Sequence, residues 1–470
     1  MRRIAVAVAL VVAASVWPLA AGVAHGATVA QAAPAQSLQA DFNNDGADDL
    51  AVGVPGEDIG GPPFNSGGVN VLYGSGGGLT GPGGQFFSQA SPGVPGGPEE
   101  GDSFGEALAS GDFDNDGFAD LAVGVPGEGV GAAGAAGAVN VLYGSAGGLT
   151  GTGSQLFTQV GGAVEAGDFF GAALAVGDFD NDGFADLAVG APFEVVGSRF
   201  EAGAVSVLYG TSGGLSTAGG QLFTQVGSGP EPGDWFGWAL AAGDFNDNGF
   251  ADLAAGAPFE DVASVVDAGV VSVLYGSTGG LTASGGQLFT QVGGAVEADD
   301  WFGWAMATGD FNNNASADLA VGAPIESVGS APQAGAVSVL YGSSGAGLST
   351  TGGQLFTQVG DAPEGFDQFG FAVAAGDFNN NGFADLAAGA HFEDVAGADD
   401  AGAVSVLYGS AGGLTTAGGQ LFTQNSPGVP GGAEDDDLFG DALVSGDPGP
   451  SPAAAASESG ARPEGRTPTR

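Results

Sequence analysis

The stretch GDFDNDGFADLAVGVPGE, residues 111–128, sets Asp112, Asp114, Asp116 and Asp120 within nine positions and then turns apolar. Carboxylates crowded this closely repel one another unless a cation sits among them. A hard divalent cation such as calcium takes about six to eight oxygens from carboxylates and carbonyls. Positions one, three, five and nine of a tight loop can turn side chains inward, while position seven offers its carbonyl. Position six then needs a backbone conformation that glycine tolerates best, and Gly117 stands there. An EF-hand would carry a bidentate glutamate at position twelve between two helices. Val123 holds that position here, and Val or Ala holds it in every copy. Asp, Asn and Gly also make good turns with no ion present; repetition weighs against that plainer explanation.

The loop recurs from Asp41, Asp112, Asp178, Asp244, Asp310 and Asp377, at spacings of 71, 66, 66, 66 and 67 residues. Unit three repeats the four carboxylates as Asp178, Asp180, Asp182 and Asp186. Unit one offers Asp41, Asn43, Asp45 and Asp49, and unit four offers Asp244, Asn246, Asn248 and Asp252. Unit six has Asp377, Asn379, Asn381 and Asp385. Unit five has Asp310, Asn312, Asn314 and Asp318, but puts Ala315 where the others have glycine. Charge count therefore ranks units two and three as the strongest calcium sites and unit five as the weakest.

A long, evenly kept period means a repeat architecture. Each unit reads as four short strands separated by Gly-rich turns, of the types ALASGDF, ADLAVGVP, GAVNVLYG and QLFTQ. Alternation puts Val139, Val141 and Tyr143 on one face of the third strand. No stretch shows a helical period. Four-stranded units cannot stand alone, and stacking them radially into a β-propeller protects their edges. The expected fold is all-β: a propeller of six complete units plus a seventh that begins DLFGDALVSGD and breaks off.

Phe-Gly pairs at Phe104, Phe170, Phe236, Phe302, Phe369 and Phe439 precede the acidic loops, and Gly-Ala-Pro or Gly-Val-Pro follows them at Gly53, Gly124, Gly190, Gly256 and Gly322. Over roughly residues 36–447 the chain resembles the FG-GAP repeat of the integrin α-chain propeller and its bacterial relatives. That resemblance implies a seven-bladed ancestor, calcium in the β-hairpin loops, and partner binding at the end away from them. Antiparallel connectivity agrees on the ends: the acidic loops share one with the third-to-fourth-strand turns. The other end carries the longer connections, where binding usually resides. Asp102, Asp168, Asp234, Asp300, Asp367 and Asp437 fall on that end, two residues before each Phe-Gly phenylalanine. So do Glu57, Glu128, Glu194, Glu260, Glu326 and Glu393, just after the proline motif. Each is a ligand-binding carboxylate or merely a loop cap. Trp235, Trp238, Trp301 and Trp304 sit nearby, as ligand stackers or as packing between blades.

The 470-residue chain carries 54 acidic and 6 basic residues, a formal charge of −48. Such a polyanion is unsuited to nucleic acid or anionic lipid. Cysteine is absent, which excludes disulfides and thiolate metal sites. Residues 1–27 read as a secretory signal peptide, 28–35 as a short segment, 36–447 as the propeller and 448–470 as a disordered Pro/Ala/Arg-containing tail. No later segment would insert in a membrane. With lysine and cysteine absent, His391 alone outside the signal, and acidic positions repeating in every blade, nothing marks a catalytic pair. The expectation is a secreted, non-enzymatic, calcium-binding propeller for adhesion or recognition of an extracellular protein or glycan. The alternatives are a carbohydrate-binding or hydrolytic propeller and a truncated, non-functional family member.

Overall fold

The computed structural model describes residues 37–59 and 64–443. The signal peptide, the 28–35 segment and the 448–470 tail expected from sequence lie outside these residues. The described chain is all-β and forms six separate four-stranded antiparallel sheets, each a simple meander. Blade one is β1 (Ser37–Ala40), β2 (Asp49–Val54), β3 (Gly68–Tyr73) and β4 (Thr80–Phe87). Blade two is β5 (Leu108–Gly111), β6 (Asp120–Val125), β7 (Ala138–Tyr143) and β8 (Thr150–Phe157). Four further blades repeat the scheme, each opening with a short strand: β9 (Ala173–Gly177), β13 (Leu240–Gly243), β17 (Met306–Gly309) and β21 (Val373–Gly376). These opening strands lie beside one another in succession and form the inner wall. The blades follow one another around a ring, a six-bladed β-propeller.

Two local expectations are corrected. The fourth strand begins five residues before QLFTQ and takes in the Gly-rich stretch read as a turn: β8 starts at Thr150, not Gln155. The register shift between Val141 and Tyr143 lets Tyr143 pair with Thr150 across that stretch. The third strand is not apolar on one face only. Val139, Asn140, Val141 and Leu142 are all buried, because a neighbouring blade covers each side.

Hydrophobic cores accordingly lie between blades. One cluster joins Phe42, Val69 and Val71 of blade one to Phe104, Leu121 and Val123 of blade two. Four more clusters repeat this around the ring. The two glycine motifs fit the same plan. A Cβ on Gly124 would collide with the carbonyl of Gly171 in the next Phe-Gly pair. Gly171 itself has φ +97°, a conformation that penalises side chains. The phenylalanine between them, Phe170, is fully buried and donates its N–H to the Ala136 carbonyl of the preceding blade at 3.1 Å.

Candidate functional site

Each acidic loop connects the first two strands of its blade. The first aspartate closes it locally: Asp112 accepts the N–H groups of Asp116 at 3.0 Å and Gly117 at 2.9 Å. Gly117 has φ +93°, and every counterpart is a glycine with positive φ except Ala315 at +73°. The ninth-position aspartate is buried and does structural work that sequence reasoning assigned only to a metal. Asp120 accepts Phe113 N–H through Oδ2 at 2.9 Å and Gly144 N–H through Oδ1 at 2.8 Å. It thereby ties the hairpin to the end of the third strand. Asp49, Asp186, Asp252 and Asp318 do the same. Asp385 receives Gly409 N–H in the matching place. Burial pushes the carboxyls of Asp120, Asp186 and Asp252 up to about 7 and that of Asp318 to about 8, against the opposing pull of these N–H donors.

Among the described residues, three carboxylates converge in two loops. Asp112, Asp114 and Asp116 bring oxygens within 4.8 Å of one another, as do Asp178, Asp180 and Asp186. These are units two and three. In unit three the Oδ1 of Asp180 is buried without a hydrogen-bond partner. Burial, then the charge of Asp182, raises the Asp180 carboxyl above its ordinary range. Asp41, Asp45 and Asp49 of unit one do not gather in this way, although Asn43 accepts Asp45 N–H at 2.9 Å just as Asp114 accepts Asp116 N–H at 3.2 Å.

In units four to six an asparagine amide sits against the ninth-position aspartate. The side-chain amides of Asn246, Asn312 and Asn379 donate to Asp252, Asp318 and Asp385 at 2.9–3.3 Å. Asn248 and Asn381 use their carbonyls to accept Phe250 and Phe383 N–H. Asn314 donates to the Gly342 carbonyl at 3.0 Å. Asp244, Asp310 and Asp377 keep the loop-closing role of Asp112. Units two and three thus present oxygen-only donor sets with the chemistry of a hard divalent cation. The other loops spend much of that capacity internally.

The opposite end carries a continuous arc of rings. Phe169, Phe193, Trp235, Phe259, Trp301, Trp304 and Phe371 succeed one another at centroid separations of 4.4–5.4 Å, with Trp238 bridging Trp235 and Trp304. The rings are half-buried. The tryptophans therefore pack between blades and still show part of their surface. His391 ends the arc against Phe371 and Phe392, buried, its protonation depressed to about 3 by burial alone. Beside the arc is a cavity of about 370 Å³ lined by Glu201, Glu231, Asp234, Trp235, Phe259 and Asp261 among others. The Asp102-type carboxylates are loop caps: Asp168 accepts Glu165 N–H at 2.7 Å and Asp300 accepts Glu297 N–H at 2.7 Å.

Six meanders of this kind, each with an acidic first hairpin, define a β-propeller of the integrin α type. The FG-GAP repeat matches residues 33–72, 104–142, 170–208, 236–274, 302–340 and 369–407, half of the chain in all, and the protein belongs to that family. It is similar to phosphatidylinositol-glycan-specific phospholipase D of Bos taurus, 32% identical over 180 residues, covering 37% of this chain and 21% of the relative. Integrin alpha-PS2 of Drosophila melanogaster is 31% identical over 270 residues, covering 56% of this chain and 18% of that one. Integrin alpha-3 of Cricetulus griseus is 33% identical over 166 residues, covering 35% and 15%. The chain spans 15–21% of the length of these curated relatives. A rhamnogalacturonan lyase structure from Bacillus licheniformis aligns with a TM-score of 0.29 and 10% identity over 75% of this chain and 59% of that one, a likeness too slight to bear on activity. Among the described residues no helix is long and apolar enough to cross a membrane.

Proposed function

We propose that the chain is a secreted, non-enzymatic recognition propeller, braced by calcium in its acidic hairpins and binding an extracellular partner through the opposite end. The calcium assignment rests on one observation above others: units two and three each converge three carboxylates, and one oxygen, Asp180 Oδ1, has no protein partner. Units two and three bind most tightly and unit five weakest, because Asn312 and Asn314 are already committed to Asp318 and Gly342. The partner is a basic protein segment. A ligand entering beside Trp235 and Phe259 meets ring faces and carboxylates together, the combination that favours cationic side chains, and the chain's charge of −48 steers such a partner inward.

Melting the protein in calcium against chelator tests the first half. Calcium raises Tm by mass action, by about 3 kcal/mol of stabilisation at a hundredfold excess over Kd per site. Identical melts would sink it, as would titration showing six equivalent ions. The partner is sought on arrays of basic peptides and of glycans, with a parallel hydrolysis screen. Glycan binding with turnover would replace this reading by a hydrolytic propeller.

A further inference from the structure

At each of five blade junctions, on the end away from the acidic hairpins, a glutamine, a glutamate and an aspartate are buried together. The glutamine ends the QLFTQ phrase of one blade; the two acids belong to the next. The sets are Gln89 with Glu128 and Asp102, then Gln159 with Glu194 and Asp168, then Gln225 with Glu260 and Asp234. Gln291, Glu326 and Asp300 form the fourth, and Gln358, Glu393 and Asp367 the fifth. All fifteen side chains are more than nine-tenths buried. Oxygens are left without partners: Oε1 of each glutamine, Oε2 of Glu194, Glu260, Glu326 and Glu393, and Oδ1 of Asp102 and Asp168. Two ionised carboxylates side by side cannot satisfy one another, because both are acceptors. The only side-chain donors in the sets are the glutamine amides, of which Nε2 of Gln159, Gln291 and Gln358 is itself left without a partner. A proton on the glutamate turns an orphan acceptor into a donor, toward the aspartate or the glutamine carbonyl.

We propose that each closed junction holds one proton on its Asp–Glu pair, so that a neutral carboxylic acid at each of the five junctions latches the six blades together. A metal ion is the weaker occupant. Each set supplies two carboxylates, whereas carboxylates gather in threes only in the acidic hairpins among the described residues. The Gln89 amide, moreover, turns its N–H toward Glu128 at 2.6 Å. Every charged neighbour acting on these pairs is acidic. Glu99, Glu165, Glu231, Glu297 and Glu364 face them from the connection leading into each blade. Asp299 adds to Asp300, Asp394 to Asp367, and Asp361 to Glu393. Burial, then these like charges, pushes Glu194 and Glu393 up to about 7 and Glu326 to about 8 from an ordinary 4.5.

The sign follows from those directions. A carboxyl held higher in the folded state binds its proton more tightly there. Its contribution is complete below the unfolded value and is lost as pH rises through the folded one. Stability therefore falls between about pH 5 and about pH 8.

The test is thermal and denaturant unfolding of the full chain in saturating calcium across that range, for wild type, Glu194→Gln and Glu326→Gln. Each variant is isosteric and permanently neutral. The wild-type unfolding constant should change about tenfold more per pH unit than that of either variant. Equal slopes overturn the proposal. If the variants do not fold, wild type at neutral pH in saturating calcium must still show an infrared carboxylic-acid C=O band, and its absence is equally fatal. A wild type that binds more calcium ions than Glu194→Gln also overturns it, in favour of a metal.

Discussion

Five junctions of the ring are copies of one another, while the faces of blade six and blade one that border the remaining seam are built alike but carry no packed neighbouring blade among the described residues. At the closed junctions the phenylalanine after the first loop aspartate is a wedge: Phe42, Phe113, Phe179, Phe245 and Phe311 are fully buried. Their carbonyls accept N–H groups from the next blade, as Phe113 does from Thr211 at 3.3 Å. The third-strand tyrosine reaches across as well, Tyr143 accepting Leu215 N–H at 3.3 Å while Gln155 donates to the Leu215 carbonyl at 3.2 Å. At the seam Phe378 is 48% exposed and Leu79, the counterpart of Leu215, is 47% exposed. The core on blade six shrinks to Ala387, Val404 and Val406, with Phe439 and Leu443 of the incipient seventh unit packed against it. Glu57 and Asn70, whose counterparts are buried elsewhere, are exposed on blade one. Identical sequence phrases thus give a core residue or a surface residue according to whether a next blade is present. The stability of each blade lives in its neighbour.

The largest expected effect separates the two kinds of face directly. Phe245→Ala opens a cavity in a closed junction and should cost about 3–5 kcal/mol, whereas Phe378→Ala should cost less than about 1 kcal/mol. Urea unfolding of both variants reads the difference. Equal costs would show that the seam is closed in solution. A smaller contrast is expected from glycines at the ends of the opening strands. A Cβ on Gly243 would press on Ala317 of the next blade, while one on Gly376 meets chiefly Phe378 of its own loop. Gly243→Ala should therefore cost about 1–3 kcal/mol through overpacking, and Gly376→Ala distinctly less. A Gly376→Ala cost as large as that of Gly243→Ala would place another blade against Gly376.

Much of this fold was legible in the sequence because period and phrase order survive in every unit. The four strands, the hairpin loops and the division of the two ends all follow from that register. What sequence could not weigh was burial across blades. Alternation in VNVLYG pointed to one apolar face, yet Asn140 is as buried as Val139, since a strand between two blades has no solvent side. In sequence the acidic loops form one motif with differing charge. The structure separates them by what asparagine does: Asn246, Asn312 and Asn379 turn an amide N–H to the ninth aspartate, a choice of atom that residue type leaves open. The wedge phenylalanines, the bridging tyrosines and the junction glutamines went unassigned, although each recurs in every unit at a fixed distance from its loop. Their role depends on a neighbour some sixty to seventy residues away, as in Gln155 to Leu215, and no local pattern carries it.

The smallest effect concerns loop strain on either side of the comparison. Ala315 adopts φ +73° in the unit-five loop, which docks on blade six through Asp310 and Ala384 at 3.0 Å. A non-glycine residue in that region costs about 1 kcal/mol or somewhat more. Ala315→Gly should thus stabilise the protein by about 1 kcal/mol, read as a shift in the urea midpoint at unchanged slope. The reverse exchange at the seam, Gly382→Ala, forces an alanine to the φ of +85° that Gly382 holds. If the unit-six loop is as rigid as its docked counterparts, it loses the same amount. The open seam predicts a smaller loss, because Phe378 is not wedged and the loop can relax around the added methyl group. A loss matching the Ala315→Gly gain would mean that the hydrogen bonds of Asp377 and Asp385 hold this loop rigid without a neighbour, and that the seam weakens packing but not the hairpin itself.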